Sequence, residues 1–254
     1  MREHTRKLPK ISKVSLMHYC KLVGRTVLFV AAAVLYIVNR VKDTGKLFGG
    51  YENVPWLLGF IWIVYAIEMF LRFFPSKIES PGCQKQFAKN YKPTEKEEPR
   101  LQSWKRTFAV AVAWLILNAI IGVLYYTRII DAGILILISL AYGVCDMICI
   151  LFFCPFQTWF MKNRCCTDCR IYNWDFAMMF TPYIFIPHAY TWSLLAISLL
   201  LLIRWEISVR RHPERFSDRT NAFIMCQNCE EKLCHHKKQL QSFLKKNKAR
   251  FKLR

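Results

Sequence analysis

Uninterrupted apolar runs alternate with short polar, basic segments along the chain. A helix crossing a bilayer core of about 30 Å needs roughly 20 mostly apolar residues. The runs predict such helices over 22–39, 56–74, 107–126 and 132–154. Pro55 opens the second in a favoured first-turn position, and Pro155 stops the fourth. The link at 127–132 is short, so the third and fourth helices form an antiparallel pair. The next apolar stretch, 171–208, is too long for one comfortable span and short for two. Its interruptions at Pro182, Pro187 and His188 divide it into 172–186 and 190–208. The first part carries Asn173 and Asp175, which makes it short or re-entrant, an arrangement tolerated only where protein covers the backbone. The expected fold is an all-α, polytopic transmembrane helix bundle with five to six membrane helices. Residues 1–21 form a basic N-terminus. The helical domain occupies 22–208, with a polar loop at 75–106 and a cysteine loop at 160–171. A basic tail with Cys and His occupies 209–254.

Charge sets the orientation. The chain is 54% hydrophobic yet carries a formal net charge of +20. No recognition motif accompanies that charge, so nucleic acid is not an expected partner. In a membrane protein, Lys and Arg collect on the cytoplasmic side and meet anionic lipid headgroups. The N-terminus, the 75–106 loop, the 160s loop and the tail are all basic, whereas 40–54, 127–132 and 187–190 are less so. This pattern places both termini in the cytoplasm, with 171–208 entering the membrane and returning. The plasma membrane is the expected location. Beyond residue 233, Leu240, Phe243, Leu244 and Phe251 recur at helical spacing among lysines, as in a helix lying on an anionic surface.

None of the eleven cysteines falls in an expected external connection, and thiols in a reducing compartment serve as metal ligands or reactive groups rather than structural disulfides. Cys166-x2-Cys169 and Cys226-x2-Cys229 are two hooks, each able to present two thiolates to one ion. Closed by the hairpin, they make a small cytosolic four-cysteine zinc module, with Cys165, Cys234, His235 and His236 as spare donors. An iron–sulfur cluster uses the same thiolates, although neither common ferredoxin spacing is present. Thiol–disulfide exchange is a further reading of the same C-x2-C hooks. On the fourth helix Cys145 and Cys149 share a face beside Asp146, the most deeply placed acid and a candidate for an ion or proton path.

Other charges read as structural. Glu68 and Arg72 are spaced to pair on one face, Asp175 and Arg204 to pair across the hairpin, and Arg25 to reach the headgroups. No P-loop, H-E-x-x-H, G-x-S-x-G or dinucleotide fingerprint occurs. Three functions fit: a membrane protein whose zinc module serves assembly, sensing or contact with a protein partner; a membrane redox protein with an iron–sulfur or dithiol centre; and a metal- or proton-coupled transporter using Asp146.

Overall fold

The computed structural model describes residues 13–41, 55–75, 81–95, 98–163 and 165–229. Cys234, His235, His236 and the expected amphipathic tail helix lie outside the described residues. Those described are helical, joined by turns and one isolated bridge between Pro93 and Asn221. The helices are α1 (Lys13–Val41), α2 (Pro55–Leu71), α3 (Pro81–Lys85), α4 (Trp104–Tyr126), α5 (Ala132–Leu151), α6 (Asp175–Phe180) and α7 (Ala189–Arg211). Four of them, α1, α4, α5 and α7, are long and apolar enough to cross a membrane. At 17 residues, α2 stands at the lower limit for a span.

The helix ends have local causes. Asp131 caps α5 by accepting the Ile134 amide at 2.9 Å. α5 ends at Leu151, three residues before the expected Cys154. A proline ring clashes with the carbonyl four residues before it, and for Pro155 that is the carbonyl of residue 151. A π-helical turn, Phe156–Met161, follows and closes with Lys162 at φ 51°. The hairpin is present: α6 continues as a 3₁₀ turn, Thr181–Phe185, and the chain reverses at 186–188 into α7, whose first turn is capped by His188 Nδ1. The ascending arm is too short for a span and is packed against α4, α5 and α7, as a re-entrant segment requires.

Burial is inverted relative to a water-soluble bundle. On α1, Val23, Val27, Val30, Val34 and Ile37 form an exposed stripe, while Ser15, His18 and Arg25 face inward with Ala32. On α2, Phe60, Ile63, Ile67 and Phe70 are exposed and Tyr65 is fully buried. Outward apolar bands of this extent are compatible with a lipid surround. Within the bundle Tyr65, Phe176, Phe180 and Tyr183 form the aromatic centre, with Tyr65 and Phe180 edge to face at 5.4 Å.

Candidate thiol site at the loop end of the bundle

A buried charge network fixes this end. Arg25 reaches from α1 to three acceptors: Glu68 Oε2 at 2.7 Å, Asp146 Oδ2 at 3.0 Å and the Gly143 carbonyl at 3.0 Å. Lys21 adds a contact to Glu68 at 3.5 Å. Arg72 forks onto both oxygens of Asp175 at 2.7 and 2.6 Å, and Phe176 lies between the Arg72 and Arg25 guanidiniums, 4.5 and 5.8 Å from its centroid. Three cations and three carboxylates balance, so a fully paired set holds α1, α2, α5 and α6 together.

Several expected pairings are thereby corrected. Glu68 pairs with Arg25 and Lys21 rather than with Arg72, because its side chain faces α1. Asp175 pairs with Arg72, leaving Arg204 to donate to the Arg72 carbonyl and to stack over Phe73 and Phe87. Arg25 does not reach outward; only 4% of it is exposed.

Beyond the network, the polar loop, the cysteine loop and the start of the tail pack together. Ala222 donates to the Lys92 carbonyl, Asn221 Nδ2 to the Lys85 carbonyl, and Gln86 Nε2 to the Thr167 carbonyl. Gln102 clasps the cysteine loop twice, donating to the Asp168 carbonyl and accepting from the Arg170 amide. Arg170 forks onto Glu206 of α7, which also accepts from Trp174 Nε1 at 2.7 Å. The two cysteine clusters therefore meet at one end of the bundle.

The cysteines of the first cluster are placed differently from one another. Cys165 is the cysteine of the first cluster that lies beside Cys226, and burial with the nearby Cys165 and Cys229 pushes the Cys226 thiol up. Cys166 and Cys169 turn the other way, into a cavity of about 140 Å³ that Cys145, Cys149 and Cys154 also line. Among the described residues no group of three or more His, Cys, Asp or Glu is arranged to hold a metal ion. Comparison with protein-family models, curated proteins and solved structures finds no match to this chain.

The cavity sits where α5 breaks. Cys149 lies in the last helical turn and Cys154 just past its end, and the break folds the two thiols into a mutual hydrogen bond. Trp114 forms the facing wall, 4.7 Å from the Tyr142 ring and 6.1 Å from Phe156, its indole donating to Thr181 Oγ1. Cys166 donates to Gln157 Oε1 at 3.1 Å. Cys169 is buried beside Cys154 and Cys166, and burial pushes its thiol up to about 12. Asp168, next to it in the loop, is pushed up to about 7 by burial and by the nearby Asp218 and Cys165. Sequence spacing singled out Cys145, Cys149, Cys166 and Cys169 separately. Cys154 was missed as a site residue, because its role comes from the helix break and not from a motif.

Proposed function

We propose that the protein is an integral membrane thiol-redox protein whose reacting pair is Cys149 and Cys154, with Cys166 and Cys169 as a second pair across the same cavity. The observation that carries this reading is the hydrogen-bonded Cys149–Cys154 thiol pair inside a cavity lined by three further cysteines. Among the described residues the cysteines are present as thiols rather than disulfides. The pairs exchange by the ordinary thiolate route. With Cys149–Cys154 as a disulfide, the Cys169 thiolate attacks the Cys154 sulfur and Cys149 leaves as a thiolate. Cys166 then attacks Cys169 and releases Cys154, so two electrons have moved to the helix pair and the disulfide to the loop. Burial keeps Cys169 protonated at rest, and Asp168, titrating near neutrality, is the neighbouring acceptor for its proton. The polar loops face the cytoplasm and contact anionic lipid through Arg210 and Arg211, both exposed at the end of α7.

The test is diamide oxidation of reduced protein in lipid nanodiscs, followed by peptide mass spectrometry. A Cys149–Cys154 disulfide is expected first, and a Cys166–Cys169 disulfide next, the latter lost in Cys154→Ser. Four thiols that stay alkylatable throughout would overturn the reading. Maleimide labelling at residues 90, 165 and 226 should report one common side.

One observation favours a second, compatible site. Cys165 lies beside Cys226, so a structural zinc between loop and tail would draw on these two together with Cys234 and His235 of the tail. Metal analysis decides it: about one zinc per chain, lost in Cys226→Ser but kept in Cys149→Ser. A brown protein that bleaches in air would instead show an iron–sulfur cluster. Asp146, bound by Arg25, fits a structural role better than an ion path. A flux assay on Asp146→Asn tests that assignment.

A further inference from the structure

The cavity beside the thiol pair has features that a dithiol does not require. It is walled by Trp114, Tyr142 and Phe156, packed ring against ring. Its volume of about 140 Å³ matches the size, about 150 Å³, at which an apolar cavity takes up a benzene ring. One of its lining residues, Cys145, is exposed on the outer surface of α5 within an apolar span. On the membrane reading above that surface faces lipid, so a ring-sized molecule dissolved in the bilayer would meet the cavity at Cys145 without crossing water.

We propose that this cavity binds the ring of a membrane-dissolved quinone, which oxidises the Cys149–Cys154 pair. The inference rests on the redox reading above and names its oxidant. The step balances. The two thiols give up two electrons and two protons as the S–S bond forms, and the two quinone carbonyls take them up to become the hydroxyls of a hydroquinone. The aromatic wall supplies ring contact through stacking and edge-to-face geometry. The Tyr142 hydroxyl is the polar group of that wall able to hydrogen-bond a quinone oxygen. Asp146 and Asp175 of the charge network also line the cavity, each already held by an arginine, so the thiols, the rings and these paired carboxylates together define the site.

The experiment uses full-length protein in nanodiscs, reduced, freed of reductant and kept anaerobic. The probe is a short-chain benzoquinone with every ring carbon substituted, which disfavours addition of a thiol to the ring. Diamide, a water-soluble oxidant, runs in parallel. Two hydroquinones per chain are expected, one for the Cys149–Cys154 pair and one for the Cys166–Cys169 pair that re-reduces it, with both disulfides found by mass spectrometry and all these products lost in Cys149→Ser. Trp114→Leu and Phe156→Leu should each lower the quinone rate relative to the diamide rate by about tenfold, the scale of one lost aromatic contact with its buried area. If diamide forms the disulfide and quinone does not, the quinone inference falls and the redox reading stands. If neither oxidant forms it, the redox reading itself fails. An unchanged rate ratio in both wall variants, hydroquinone formed without Cys149, or a ring adduct in place of a disulfide would each overturn the assignment of the cavity.

Discussion

Removing the Arg25 guanidinium is the sharpest perturbation of this fold. In Arg25→Met the chain keeps its length and loses three donated hydrogen bonds, leaving Glu68 and Asp146 facing one another without the cation between them. Breaking a buried ion pair from one side costs about 3–5 kcal/mol, most of it from the stranded charge rather than the lost attraction. Lys21, 3.5 Å from Glu68, compensates one carboxylate and leaves the other. The expected loss is therefore near 3 kcal/mol, a fall in Tm of order 10 °C at 2–4 °C per kcal/mol for a chain of about this size. Neutralising the stranded acids should recover most of it: Arg25→Met with Glu68→Gln and Asp146→Asn is expected within about 1.5 kcal/mol of wild type, since a neutral set of similar volume removes the desolvation cost as well. Asp146→Asn alone should cost about 1 kcal/mol, because its amide oxygen still accepts from Arg25. Thermal unfolding in mild detergent, read by tryptophan fluorescence with all four proteins side by side, measures these differences. An Arg25→Met protein as stable as wild type, or a triple variant no better than the single, would refute the account of the network.

Three other outcomes follow from named contacts. Gly143→Ala places a methyl group 2.8 Å from the Tyr65 hydroxyl and 3.2 Å from the Met179 sulfur, so it should destabilise by about 1–3 kcal/mol in the same unfolding assay. Glu206→Ala leaves Arg170 and the Trp174 indole without their shared acceptor, worth about 1.5–3 kcal/mol, and should expose the 165–171 loop to protease while the bundle stays intact. Asp168 has a folded-state pKa raised to about 7 from an ordinary value near 4, so its contribution is fully present below about pH 4 and lost as pH rises through 7. Asp168→Asn should remove that dependence and protect the loop from protease at pH 8, where wild type is more readily cut.

The helices were legible in the sequence because span length and uncharged runs report directly on the bilayer: 107–126, 132–154 and 190–208 correspond to α4, α5 and α7 within a few residues. The turn at Pro187-His188 was legible for the same kind of reason, a local breaker in an apolar run. α1 begins nine residues before the expected start, since the helix continues through Lys13 to Lys21, a mixed polar and apolar stretch that an uncharged-run criterion does not mark. Pairings were less legible. Spacing on one helix proposed Glu68 with Arg72, but the partners of each came from other helices, 43 and 103 positions away. The cysteines divided in a similar way: a C-x2-C motif suggests a hook, while the packing of the loop sends Cys165 to one side and Cys166 and Cys169 to the other.

The distances in sequence across the Arg25 network also have a meaning in time. Arg25 emerges from the ribosome 43 residues before Glu68 and 121 residues before Asp146. At about 5–20 residues per second its first partner is several seconds away and its second about 6–24 seconds away. Until then an arginine midway along α1 has no counter-charge, a position that insertion measurements put at about 3 kcal/mol against residence in the membrane. On the membrane reading proposed above, the first helix is a provisional occupant of the bilayer, drawn to its final depth by segments synthesised later. A nascent chain that stops before α5 holds Glu68 for Arg25 and lacks Asp146 and the Gly143 carbonyl.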